Sequence, residues 1–144
     1  MTYVDVLKQY YHQALPYERA IVVPLSPLWE PGAPVLLAEG TDDCIVVSPW
    51  RLQDVLASAR IRGYVLAHNH VTTLPPRPSP ADLRAVVELR EALRPWAEYQ
   101  MRDMAILNQH GEIFSFVASR IFENPVVHGR RFVEEGKRLA AAGR

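Results

Sequence analysis

Four of the chain's 12 prolines fall within six residues, at Pro75, Pro76, Pro78 and Pro80. Such a run fits neither a helix interior nor a central strand, because each ring fixes φ and removes a backbone donor. The chain must therefore break its regular structure here with a stiff loop. Ahead of the loop, Gly63-Tyr64-Val65-Leu66-Ala67 has the pattern of a buried strand and runs straight into His68-Asn69-His70. Behind it, Ser79-Pro80-Ala81-Asp82 opens a helix, with Ser79 as N-cap, Pro80 at the first helical position and Asp82 at the third. Its apolar stripe is Val86, Leu89, Leu93 and Trp96, at steps of three and four. Strand, rigid loop and helix follow one another, and a rigid loop in mid-domain is a natural place for function.

The rest of the sequence frames this unit. Val4, Leu7, Tyr11, Ala14 and Leu15 recur at helical spacing up to Pro16, and Ala20–Val23 reads as a strand. Val35–Ala38 is the next strand and Cys44–Val47 a further short one, before Ser48-Pro49 starts a helix with Leu52, Val55, Leu56 and Ala59 on one face. Met104–Leu107 and Ile113–Phe116, separated by Asn108-Gln109-His110-Gly111, predict a hairpin, and Phe132–Ala142 a final helix with a mildly basic end. Alternating strands and helices followed by a hairpin predict an α/β fold, one mixed sheet flanked by helices. The 144 residues suit a single domain spanning 1–144.

Composition narrows the function classes. Sixteen Lys+Arg balance sixteen Asp+Glu, so the simple case for a nucleic-acid binder, a basic excess, is missing. The balance hides a contrast. Glu30 to Asp54 holds five acidic residues against Arg51 alone, whereas His128 to Arg144 is basic. An acidic neighbourhood suits a cation and a peptide better than a polyanion. Cys44 is the single cysteine, which excludes an intramolecular disulfide, fits a reducing compartment and reads as a small buried hydrophobe. No apolar run approaches the ~20 residues of a membrane span, and the first residues lack a signal peptide's apolar core, so the expected location is the cytoplasm.

His68 and His70 carry the chemistry. Residues i and i+2 of a strand point to the same face, roughly 6.5–7 Å apart at the backbone, so both imidazoles can converge on one ion. Asp82, twelve residues on, offers a carboxylate. Two imidazoles, a carboxylate and water would make a zinc site with one open position. Glu39, at the end of the Val35–Ala38 strand, is the candidate general base. Singly, each residue has an ordinary structural role. Ser79 and Asp82 fit a helix cap, Glu39 a solvated strand end, and a lone His-x-His pair is weak evidence of metal. His12, His110 and His128 are scattered and read as surface or turn residues.

Taken together, Glu39, His68-x-His70 and Ser79-x-x-Asp82 resemble the signature of the JAMM (MPN-type) zinc metalloproteases. The surrounding text is most similar to the RadC-like branch: Glu39-Gly40-Thr41, Ser48-Pro49-Trp50-Arg51, Ala67-His68-Asn69-His70, Pro78 to Asp82, and Asp103-Met104-Ala105-Ile106. The resemblance covers roughly residues 35–116. The chain departs from the branch in three places. Eight residues separate His70 from Ser79, one more than usual, Val71 stands where proline is usual, and Met104 where histidine is usual.

The resemblance implies a JAMM/MPN domain of cytidine-deaminase-like architecture that binds one catalytic Zn2+ on His68, His70 and Asp82. It implies hydrolysis of peptide or isopeptide bonds, with Glu39 as general base and the Ser79 hydroxyl donating to the oxyanion. The implied partner is a protein or peptide, such as the extended tail of a ubiquitin-like or sulfur-carrier protein added as a strand at a free sheet edge. The competing expectation, carried by the RadC name, is a DNA-repair-associated or nucleic-acid-processing protein.

Overall fold

The computed structural model describes residues 1–57, 61–93 and 100–119. Its elements are α1 (Tyr3–Tyr10), β1 (Arg19–Leu25), β2 (Val35–Glu39), α2 (Pro49–Ala57), β3 (Gly63–Asn69), α3 (Pro80–Leu93), β4 (Gln100–Leu107) and β5 (Ile113–Ser115). The strands form one five-stranded sheet in the order β2-β1-β3-β4-β5. β3 and β4 are parallel and every other pair is antiparallel. This is the mixed α/β sheet with helices that the sequence predicts. The expected terminal helix over Phe132–Ala142, its basic end, Ala59 and Trp96 lie outside the described residues.

Strand alternation sorts the buried side chains into two layers. Ala20 and Val22 of β1, Tyr64 and Leu66 of β3, and Met104 and Ile106 of β4 pack with Leu52 and Leu56 of α2 and with Leu83, Val86, Leu89 and Leu93 of α3. Ile21 and Val23, Val65 and Ala67, and Ala105 and Leu107 face the other way, against Val6, Leu7 and Tyr11 in and just after α1. All seven residues of β3 are buried, as expected of a central strand covered on both sides.

Helix starts follow their caps. Thr2 and Asp5 form a reciprocal capping box on α1. Ser48 receives the Arg51 N–H at the start of α2. α1 ends at Tyr10 rather than continuing to Leu15, because Tyr11 turns inward, where its hydroxyl donates to the Arg19 carbonyl at 2.6 Å.

Two expectations are corrected. Cys44–Val47 forms no strand: Ile45 and Val47 pack on the core, but Val46 is 79% exposed and, among the described residues, no neighbouring strand pairs with the segment. Cys44 is accordingly exposed rather than buried, held through its carbonyl, which accepts the Thr41 N–H. The β4–β5 hairpin is present, and its turn places Gly111 at φ 74°, where a side chain is disfavoured.

Candidate metal centre

His68 and His70 sit where β3 ends. Alternation puts His68 on the α2/α3 face with Leu66. The His70 N–H donates to the Leu107 carbonyl at 2.7 Å, which prolongs the β3–β4 pairing and keeps His70 on the same side. The two Nε2 atoms are 3.3 Å apart.

Asp82 arrives from the other direction. After the proline loop, Ser79 caps α3: its hydroxyl accepts the Asp82 N–H at 3.1 Å, and Asp82 Oδ2 accepts the Ser79 N–H at 2.8 Å. That reciprocal box fixes the carboxylate against the sheet. Asp82 Oδ1 lies 3.0 Å from His68 Nε2 and Oδ2 lies 3.0 Å from His70 Nε2. The cap and the cluster are therefore one arrangement. His68, His70 and Asp82 meet through their side chains, and Ser79 joins them through the cap on Asp82.

Glu39 does not join them. The β1–β2 register pairs Arg19 with Glu39 and Ala20 with Ala38, but Ile21 with Leu36, so Leu37 is an extra residue in β2. Leu37 and Ala38 both face the α2/α3 layer, and every later side chain is turned over. Glu39 is carried to the opposite face, where its carboxylate meets the Arg19 guanidinium at 3.1 Å. Arg19 in turn lies against the rings of Tyr10 and Tyr17. Strict alternation from Val35 would have placed Glu39 beside the histidines, and the bulge overturns that.

Glu18 occupies the place instead. It precedes β1 by one residue, and Ala20 pairs with His68 across the antiparallel β1–β3 ladder. Glu18, two residues before Ala20, thus comes level with His70, and its Oε1 is 3.8 Å from His70 Nε2. Glu18 belongs to none of the motifs in the sequence. The available signal was parity, since Glu18, Ala20 and Val22 share a face, but a single sequence does not reveal that β1 lies beside β3.

The backbone around Glu18 is tightly held. Its N–H donates to Thr41 O at 2.7 Å and its carbonyl accepts the Gly40 N–H at 2.8 Å. Gly40 leaves no space for a side chain, since a Cβ there would meet the Cys44 carbonyl oxygen at 2.0 Å. On the other face, Asn69 accepts the Arg19 N–H at 2.7 Å and donates to the Tyr17 carbonyl at 3.0 Å. The residue between the two histidines thus clamps both neighbours of Glu18.

Charge and burial act together at this cluster. Burial alone would raise the Asp82 pKa, but hydrogen bonds to His68 and His70 outweigh it and hold the carboxyl well below its ordinary value. Burial disfavours the His70 cation, yet the Asp82 hydrogen bond and charge, with Glu18, raise its pKa. Burial raises Glu18, partly offset by the charges of the two histidines. The group attracts positive charge, as a proton or as a metal ion. Glu18, His68 and His70 offer ligand atoms all within 4.8 Å of one another, a set able to hold a metal ion. Asp82 reaches both imidazoles more closely than Glu18 does.

A cavity of about 330 Å³ opens on this cluster and is otherwise mainly apolar. Asp42 and Asp43 add carboxylates to it, and among the described residues no Lys or Arg lines it. Among the described residues, too, no helix is long and apolar enough to cross a membrane. No known family model and no curated protein matches the sequence.

Proposed function

We propose that this chain is a zinc-dependent hydrolase of peptide or isopeptide bonds, similar in its site to the JAMM metalloproteases and their RadC-like branch. The observation that carries the reading is the convergence of His68, His70 and Asp82 with a second, separate carboxylate, Glu18, alongside. Ligands about 2.0–2.1 Å from a tetrahedral zinc stand about 3.3 Å from one another. The two imidazole nitrogens, 3.3 Å apart, match that spacing, and the Asp82 carboxylate straddles them with Oδ1 3.0 Å from His68 and Oδ2 3.0 Å from His70. His68, His70 and Asp82 would hold the metal.

Zinc supplies Lewis acidity, lowering the pKa of a water it binds to about 7. The chain's own groups do the rest. Glu18, with its pKa raised by burial, takes the proton at its carboxylate and later returns it to the leaving amine. Ser79 Oγ accepts the Asp82 N–H, which leaves its own hydrogen free to donate to the oxyanion. Among the described residues β2 is a sheet edge, and the chain runs from it to the cavity rim, so an extended substrate tail has a strand to pair with near the site.

The acidic lining disfavours the DNA-processing reading, because phosphodiesters would meet carboxylates and, among the described residues, no Lys or Arg. The test incubates the zinc-loaded protein with ubiquitin-like-protein fusions and with DNA in parallel, with Glu18→Gln as control. Stoichiometric zinc and Glu18-dependent cleavage of the fusions are expected. Protein that purifies without zinc, or zinc-dependent DNA nicking without proteolysis, would overturn the proposal.

A further inference from the structure

The cavity reaches well beyond the polar cluster, and its shape follows from the topology. α3 turns back along β3 after the proline loop, so residues before His68 on the strand lie beside residues after Asp82 on the helix. Leu66 and Met104, partners across the β3–β4 pair, make the sheet side. Ala85 and Leu89, one and two turns beyond Asp82, make the helix side, and Ile45 and Val47 close a third. Ala85 is small and leaves space where a leucine would fill it.

That space has a chemical preference. An apolar cavity of about 150 Å³ already accepts a benzene ring. At about 330 Å³, this one holds a large side chain and still leaves room at the metal cluster. A glycine next to the scissile bond would leave the apolar walls against water, whereas a phenyl or isobutyl group would cover them. Met104 adds an adaptable, polarizable contact suited to an aromatic ring.

We infer that this cavity is a side-chain subsite: the substrate seats a large apolar residue, Phe or Leu, against Met104 and Leu89, adjacent to the bond hydrolysed at the His68–His70–Asp82 cluster. The inference rests on the peptidase reading and names its substrate class. It makes Ala85, Leu89 and Met104 the residues that set specificity.

The experiment has two arms. In the first, the zinc-loaded chain is given internally quenched peptides that differ only by Gly, Leu or Phe at one position at a time. At one position beside the cleaved bond, kcat/KM should be about tenfold or more higher for Leu or Phe than for Gly. Ala85→Phe should collapse that ratio towards one through KM, with Ala85→Leu as a milder filling; zinc content and thermal midpoint report that each variant is folded. In the second arm, methyl-labelled methionine gives three signals, since the chain has three methionines. The Met104 signal should shift with N-acetyl-phenylalanine amide and not with N-acetyl-glycine amide, and Ala85→Phe should abolish the shift. Equal cleavage of Gly and Phe peptides, or a Met104 signal indifferent to the phenylalanine amide, overturns the subsite. No cleavage of any peptide, with the Met104 shift intact and blocked by Ala85→Phe, keeps the subsite and removes the peptidase reading.

Discussion

The Glu18 carboxylate lies 3.8 Å from His70 Nε2, while Glu39 is tied to Arg19 on the opposite face of the sheet. Two acidic residues at neighbouring strand ends are thereby given different work. The Glu18 side chain is 7% exposed beside His70, whereas the Glu39 side chain is 48% exposed in an ordinary ion pair.

Glu18→Gln should lower kcat by about 10²–10⁴, the range of a lost general base, while zinc content stays stoichiometric. Glu39→Gln should leave kcat within about twofold, since a surface ion pair is worth only about 0–1 kcal/mol. Steady-state kinetics with elemental analysis of both variants decides the matter. The reverse ranking would return the role to Glu39.

Asn69→Ala should reduce kcat with zinc retained. Its amide holds Tyr17 and Arg19, and a displacement of about 1 Å in a catalytic group can cost about 10²-fold. A merely destabilising role would lower the unfolding midpoint but leave the kcat of the folded fraction unchanged. Kinetics corrected for active-site concentration separates the two.

Asp82→Asn should abolish zinc binding, because it weakens the contact to both imidazoles at once. Zinc at 100 times its Kd should stabilise the wild-type chain by about 2.7 kcal/mol, a rise of about 5–10 °C in Tm. Thermal unfolding with and without a chelator measures the shift. Persistence of the full shift in Asp82→Asn would point to Glu18 as the third ligand.

Asp103 predicts the pH response. Its Oδ2 accepts hydrogen bonds from the hydroxyls of Tyr3 and Ser115, both at 2.6 Å, tying α1 and β5 to β4. Burial raises its pKa despite those donors. The folded chain therefore holds this proton more tightly than the unfolded one. The associated stability is complete below the ordinary Asp value and is lost as pH rises through the raised one. Asp103→Asn should cost about 1–3 kcal/mol near pH 4, since an amide has one accepting oxygen while both Asp103 oxygens accept here, Oδ2 from Tyr3 and Ser115 and Oδ1 from the Val117 N–H. The gap should narrow as pH rises, as followed by urea midpoints. A gap that widens would refute the burial argument.

Much of this protein is legible in its residues. The strand ending in His68-Asn69-His70, the forced break at the prolines and the cap at Ser79–Asp82 are local features. Period-two alternation, φ restriction and capping chemistry suffice for them, while the meeting of Asp82 with both imidazoles follows from α3 packing back on β3. The hairpin and the α2 and α3 faces were readable for the same reason. The Cys44–Val47 segment misled because apolar, β-branched composition suits a strand but does not supply a neighbouring one.

What only the tertiary structure decided is which carboxylate meets the histidines. One extra residue at Leu37 inverts the facing of Glu39, and the pairing of β1 with β3 brings Glu18 level with His70 across 52 positions of sequence. A bulge leaves no trace in the hydrophobic pattern when both residues at it are apolar, as Leu37 and Ala38 are. Strand order is likewise fixed by how whole layers bury their faces, not by any residue in the strands concerned.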